Sequence, residues 1–281
     1  MTLSTCLWMD VKAKEAAELY LSVFENSEIT NQNPMVVGFR LGGIPFMALN
    51  GGPMFKINPS ISFMVSCESA NEVEEKYNVL IQGGSVLMPL DSYPWSEKYG
   101  WCQDKYGVNW QLFLGQIESK ISPCFMFSGT QNGKASEAMN FYTSLFKNSE
   151  VLSLNKYEEN DQDITGNIKH GRFNLMGNAF IAMDTSMPNA PTFKEGVSIV
   201  VNCETQEEID FLWDSLTKDG KESQCGWLKD KYGVSWQIVP NILAKLMNDP
   251  ERAPAVTKAF MQMKKFDIEK LLVARFSPQR L

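Results

Sequence analysis

The sequence predicts an α+β fold of tandem βαβββ modules, and three observations carry the prediction. The first is one stretch written twice: residues 100–113 read GWCQDKYGVNWQLF and residues 226–239 read GWLKDKYGVSWQIV. The second is a duplicated helix, KAKEAAELYLSVFENSEI at 12–29 and KASEAMNFYTSLFKNSEV at 134–151, with the apolar positions in register. The third is strand periodicity after the duplicated turn. There Val108, Trp110 and Leu112 alternate with Asn109 and Gln111, and Val234, Trp236 and Ile238 alternate with Ser235 and Gln237. A chain of 281 residues divides into two domains at ~150 residues each. The repeat places the first domain at 1–118 and the second at 119–240, and leaves 241–281 as a helical tail without a counterpart.

Taken in order, residues 4–9 form an apolar run read as a strand, and Asp10 is the expected N-cap of a helix. In that helix Ala13, Ala16, Ala17, Tyr20, Val23 and Phe24 recur at helical spacing. A further strand is expected near 28–37, with its counterpart near 150–157. FRLGGIPFMALN (39–50) and FNLMGNAFIAMD (173–184) each hold two short strands around a glycine-containing turn. SISFMVSCES (60–69) and VSIVVNCETQ (197–206) open the second module of each repeat. Each leads into a helix, one spaced by Val73, Tyr77, Leu80 and Ile81, the other by Ile209, Leu212, Trp213 and Leu216, and Gly83 and Gly220 stop them.

Between that glycine and the duplicated stretch the first repeat carries SVLMPLDSYPWSEKY (85–99) where the second has only KESQC (221–225). Pro89, Pro94 and Trp95 make the longer segment read as a loop, either shaping a ligand mouth or packed on the surface. Asp-Lys-Tyr-Gly is turn chemistry, with the aspartate bonding its own backbone and the glycine free to take a positive φ. Asp104 and Asp230 are therefore read as turn formers, and Trp110 and Trp236 as core. In the tail, Pro240 and Asn241 open a helix, NDPERAP breaks it, and Asp267 caps a last short one.

Composition excludes several classes. With 44% hydrophobic and 21% charged residues the chain can build sizeable cores. A formal charge of −7 and the lack of a clustered basic face argue against a nucleic-acid partner. No run of ~18 apolar residues and no charged leader followed by an apolar stretch is present, so neither a membrane partner nor export is expected. Six cysteines without CxxC spacing read as buried, reduced thiols, and the expected compartment is the cytoplasm.

The polar face of the duplicated strands is where function is sought. Asn109, Gln111 and Ser62 in the first repeat, and Ser235, Gln237 and Ser198 in the second, are the candidate ligand-binding groups, with Trp8 as a wall. Each reads equally as a satisfied structural or solvated residue. The single histidine, His170 in GNIKHGRF, has no equivalent in the first repeat and reads as a turn residue ahead of the strand at Phe173.

EAAELYLSVFENSEI, the GV-W-Q strands and GWLKDKYGVSWQIVP followed by MKKFDIEKLL resemble the PhnB-like proteins. These belong to the vicinal oxygen chelate superfamily with glyoxalase I, extradiol dioxygenases, fosfomycin-resistance transferases and bleomycin-binding proteins. The resemblance covers the whole chain as two fused copies and implies glyoxalase/bleomycin-resistance-like half-barrels. It also implies a divalent metal held on the inner sheet face by histidine and glutamate. The positions that would carry those ligands hold Gln111 and Gln237, seven residues after the turn aspartates, and Ser62 and Ser198. No metal and no cofactor are therefore expected. The resulting expectation is a small-molecule-binding protein, either monomeric with its two repeats paired within the chain or homodimeric. The alternatives are a metal-dependent lyase, isomerase or dioxygenase drawing on Glu68, Glu204 and His170, the 3-demethylubiquinone-9 3-methyltransferase of the family's usual label, and a purely structural fusion. The methyltransferase reading lacks a glycine-rich strand-to-helix turn, since Gly42-Gly43, Gly51-Gly52 and Gly83-Gly84 lie between short strands.

Overall fold

A computed structural model describes residues 1–117 and 119–274. The chain gathers into two compact units, Ser4–Val197 and the first three residues together with the described residues from Ser198 onward. The elements follow the repeat. Module one is β1 (Thr2–Met9), α1 (Ala13–Val23), β2 (Glu28–Gln32), β3 (Val36–Leu41) and β4 (Ile44–Asn50). Module two is β5 (Ile61–Cys67), α2 (Ala70–Leu80), β6 (Ser85–Tyr93), β7 (Ser96–Gln103) and β8 (Asn109–Leu114). Module three is β9 (Ile121–Phe127), α3 (Ala135–Leu145), β10 (Glu150–Lys156), β11 (Ile168–Leu175) and β12 (Asn178–Asp184). Module four is β13 (Val197–Cys203), α4 (Gln206–Thr217), β14 (Lys221–Glu222), β15 (Trp227–Lys229) and β16 (Ser235–Pro240). The tail adds α5 (Ile242–Met247), α6 (Ala253–Phe260) and α7 (Ile268–Val273). The α+β class and the tandem βαβββ order are those the sequence predicts.

The helices are amphipathic as expected, α1 burying Ala13, Ala16, Ala17, Tyr20 and Val23, but α1 starts differently. Lys12 is the N-cap and gives no side-chain capping bond, while Asp10 lies further out, beyond Val11 at φ +53°. The first helical N–H, on Ala13, donates instead to Asn50 Oδ1 at 2.9 Å, from the end of β4. Module three repeats the device with a carboxylate. Asp184, at the end of β12, accepts from Gly133 N, Ala135 N and Ile168 N at 2.8, 3.1 and 2.8 Å. A side chain distant in sequence thus satisfies the first orphan N–H of each of these two helices. The other two helices carry local caps. Ser69 Oγ accepts from Glu72 N and Thr205 Oγ1 from Glu208 N, while Glu72 and Glu208 reach back to Glu68 N and Glu204 N.

Residues 85–99 are not a loop. They form β6 and the start of β7, antiparallel partners from Ser85↔Gln103 to Tyr93↔Ser96. The prolines that suggested a loop are accommodated where strands tolerate them. Pro89 lies on the sheet's edge strand, within the irregularity between Met88 and Asp91, and Pro94 lies in the connecting turn. Module four lacks this long hairpin, and its tail fills the place. Cys225 N and Gly226 N donate to Met263 O and Lys264 O at 2.8 and 2.7 Å, and a Cβ on Gly226 would stand 2.5 Å from the Phe266 ring. At the equivalent Gly100 a Cβ would meet Tyr77 of α2 at 2.7 Å and Leu90 of β6 at 3.1 Å. Asp267 caps α7, accepting from Lys270 N at 3.0 Å. Gln206 of α4 fixes the tail through Phe266 O and Ile268 N.

Within the larger unit one eight-stranded sheet runs in the order β10-β11-β12-β9-β5-β8-β7-β6. Its two halves come from different sequence repeats, because β5 pairs antiparallel with β9, Ser62 opposite Cys124 and Met64 opposite Ser122. Helices α2 and α3 cover one face: a Cβ on Gly100 would strike α2 and one on Gly171 would strike Met139 of α3. The opposite, helix-free face carries Ser62, Met64, Gln111, Trp101, Cys124 and Ile181, which succeed one another across the strands. Five of the six cysteines are buried, Cys225 is half-buried, and all are free thiols. Burial pushes Cys67, Cys102, Cys124 and Cys203 up to about 12, so they stay protonated and inert. Among the described residues no helix is long and apolar enough to cross a membrane.

Candidate functional site

The site is set by the duplicated turn. Asp104 Oδ1 accepts from Tyr106 N and Val108 N at 2.8 and 3.0 Å, and Oδ2 from Trp110 Nε1 at 2.9 Å. Asp230 does the same for Tyr232 N, Val234 N and Trp236 Nε1, at 2.9, 3.1 and 2.9 Å. Each aspartate closes its turn and pins the following tryptophan to the helix side of the sheet. Strand alternation then obliges Gln111 and Gln237 to face the other way. Both aspartates are buried structural groups, as their place in the turn predicts.

On the helix-free face the structure brings together two equivalent pairs. Gln111 Nε2 donates to Ser62 Oγ at 2.7 Å, and Gln237 Nε2 donates to Ser198 Oγ at 2.9 Å. All four are buried, Gln111 being 3% and Gln237 5% exposed. In the larger unit the chain of bonds continues, because the Tyr99 hydroxyl donates to Gln111 Oε1 at 2.7 Å. Tyr99 packs edge-on to Tyr93 and Trp95, and Trp95 is exposed at the β6–β7 tip. Asn109 and Ser235 begin the same strands and share the faces of Gln111 and Gln237, Asn109 Nδ2 donating to Gly107 O. Trp8 is held on β1 by its Nε1 bond to Gly52 O at 2.7 Å, with its ring against Phe55 and over Gly51, where a Cβ would stand 2.1 Å away. Replacing Gln111 by Ala is expected to lower stability by ~1–3 kcal/mol, since it leaves the Tyr99 and Ser62 hydroxyls buried without their partner. A melting temperature unchanged in that variant would show that the amide is not part of a buried network.

Sequence reasoning missed Tyr99, Trp101, Ser122 and Cys124. Tyr99 was hidden because 85–99 read as a loop. Ser122 and Cys124 share the site only through the β5–β9 pairing, which local periodicity cannot reveal. Met64, Cys124 and Ile181 form an apolar floor flanked by Phe113, Ile117 and Met183. A shallow crevice lies elsewhere, between Lys56, Asn58, Ser60 and Lys194. Its polar atoms are already engaged, Ser60 N and Oγ with Asn58 Oδ1 and Asn58 Nδ2 with Thr192 O.

The profile of the 3-demethylubiquinone-9 3-methyltransferase family matches residues 1–113 and again 119–239. The chain belongs to that family. It is similar to a putative 3-demethylubiquinone-9 3-methyltransferase, a PhnB protein, from Bacillus cereus, with 37% identity over 41% of this chain and 100% of that one, at a TM-score of 0.39. A protein from Pseudomonas aeruginosa shares 25% identity over 40% of this chain and 96% of its own, at a TM-score of 0.35. Glyoxalase I from Zea mays covers 88% of this chain and 97% of its own at 12% identity and a TM-score of 0.56, which places this member of the family in the vicinal oxygen chelate fold. No curated protein matches.

The resemblance to the vicinal oxygen chelate proteins implies a divalent metal on the inner face, and the positions that would carry its ligands hold Gln111, Ser62, Gln237 and Ser198. A metal needs about three or four convergent imidazole, thiolate or carboxylate ligands. Among the described residues no group of three or more such side chains converges. At the expected positions each glutamine turns its Nε2, a donor, toward serine, and Gln111 Oε1 is taken by Tyr99. Glu68 is exposed and paired with Lys120, and Glu204 is exposed near the N-terminal amine. His170 lies within β11 opposite Asn155, not in a turn ahead of the strand, and β12, β9 and β5 separate β11 from β8.

Proposed function

We propose that this chain is a small-molecule-binding protein that holds its ligand on the inner sheet face without a catalytic metal. The observation that carries the reading is the pair of buried amide–hydroxyl couples, Gln111–Ser62 and Gln237–Ser198, standing where the fold's metal chemistry would need charged or imidazole ligands. The described titratable groups beside Gln111, Tyr99 and Cys124, do not ionise near neutrality. Burial raises the Tyr99 hydroxyl well above its ordinary value and Cys124 to about 12, so neither serves as a general base or nucleophile there. Fixed hydrogen-bonding groups over an apolar floor of Met64, Cys124 and Ile181 suit recognition of an organic molecule. Native mass spectrometry with elemental analysis of protein purified from its own host tests the reading. It is expected to show no stoichiometric divalent metal, and any excess mass is expected to be organic. A divalent metal at one equivalent per chain would overturn it.

A further inference from the structure

The inner face of the eight-stranded sheet also holds polar atoms that the fold buries and leaves without partners, and three of them share one row. Across the strands Trp101 stands opposite Gln111, Gln111 opposite Met64, and Met64 opposite Ser122. Beyond Ser122 the same row passes through β12, where Ala179 faces Asn174 of β11. In it Trp101 Nε1, Ser122 Oγ and Asn174 Oδ1 are buried and make no hydrogen bond, and Asn109 Oδ1, on the same face, shares that condition. Ser122 is 0% exposed. Each such group costs ~1–3 kcal/mol when left unmade, and several on one face indicate a partner that the fold itself does not provide. One water molecule cannot serve both donors. At ~4.8 Å per strand, the Trp101 and Ser122 backbones are three spacings, or ~14 Å, apart.

What lies between the two donors defines what could bridge them. Gln111 has spent both ends of its amide, on Ser62 and Tyr99, and Met64 belongs to the apolar cluster with Cys124 and Ile181. Among the described residues of the row no charged side chain intervenes. Charge stands beside it: Lys120, two residues before Ser122, is paired with Glu68, Asp91 stands opposite Tyr99, Glu150 stands opposite Asn174, and Arg172 lies in the neighbouring row, its Nε bonded to Ser153 Oγ. We propose that this row is the ligand's line of polar contact, and that the ligand is an uncharged, elongated, mainly apolar molecule. It presents an acceptor oxygen to Trp101 Nε1 and a second polar atom to the Ser122 hydroxyl. The assignment rests on the small-molecule-binding reading and adds its ligand class.

Methoxycoumarin is the probe, a flat neutral bicycle with a lactone oxygen at one end and an ether oxygen at the other. Fluorescence titration of the full chain is expected to give saturable binding. Trp101→Phe, which keeps a ring and loses the N–H, and Ser122→Ala should each weaken it about three- to tenfold, the worth of one hydrogen bond. Unliganded Ser122→Ala should melt no lower than the wild type, because it loses a hydroxyl that had no partner. The same coumarin bearing a carboxylate should bind at least about tenfold more weakly, having lost its hydration without gaining a cation. Methoxycoumarin bound equally well by both variants would refute the row while leaving ligand binding on this face standing. Tighter binding of the carboxylate would refute the neutral class, and no binding of either coumarin would refute the ligand class as a whole. A lower melting temperature in unliganded Ser122→Ala would show that its hydroxyl holds structural water, and would also overturn the proposal. The metal and adduct analysis is independent of all four outcomes and alone decides the underlying reading.

Discussion

Replacing Trp236 by Ala is expected to cost the fold about 3–5 kcal/mol, or roughly 6–20 °C in melting temperature for a protein of this size. The indole is 0% exposed, stands opposite Ile199 of β13 and Leu228 of β15, and donates to Asp230 Oδ2 at 2.9 Å. Truncation opens a cavity larger than a single core methylene could fill and strands a buried carboxylate oxygen, so the transfer, cavity and hydrogen-bond terms act in the same direction. Trp236→Phe separates them, since it keeps an aromatic ring and loses only part of the volume and the N–H. It should retain more than half of the lost stability. Chemical denaturation followed by far-ultraviolet circular dichroism measures both. A midpoint unchanged in the alanine variant would mean that Trp236 does not face the core, and by strand alternation that Gln237 does not face away from it. The site assigned around Gln237 and Ser198 would then fall.

How much of this was legible in the sequence depends on how far apart the partners lie. The Asp-Lys-Tyr-Gly turn and the strand after it are local, and period-two alternation alone put Trp110 and Gln111 on opposite faces. The capping serine and threonine of α2 and α4 were likewise within a turn of the residues they serve. The caps of α1 and α3 were not. Asn50 and Asp184 reach helix starts 37 and 49 residues away, and nothing around Asp10 signals that it is left out. Residues 85–99 misled because Pro89 and Pro94 are read as breakers, whereas an edge strand with an irregular register loses no ladder bond to a proline. The candidate site was half visible for the same reason. Gln111 and Ser62 sit at matched places in duplicated strands, so the repeat singled them out. Tyr99, Trp101 and Ser122 join them only through sheet pairing, and β5 with β9 joins strands from the two different repeats. A repeat read from sequence suggests that each copy closes on itself, and no local pattern says that the sheet will instead bridge them.

Asp104→Ala is expected to destabilise the larger unit by about 3 kcal/mol or more, because three donors lose one acceptor together: Tyr106 N, Val108 N and Trp110 Nε1. The isosteric Asp104→Asn tests the electrostatics of the same group. Burial pushes the Asp104 carboxyl above its ordinary value, against the opposing pull of the Trp110, Tyr106 and Val108 bonds. The folded state therefore keeps its proton at a pH where the unfolded chain has lost it. Stability from this group is greatest below the ordinary carboxylate value, falls as pH rises through the raised folded value, and is level above it. Asparagine carries no such slope. The stability advantage of the wild type over Asp104→Asn should accordingly be largest in acid and shrink toward neutral pH, as read by denaturant midpoints across that range. An advantage that grew with pH would mean that the three hydrogen bonds outweigh burial and hold the carboxylate charged. In that case Asp104 would be a buried anion stabilised by the three bonds of its turn.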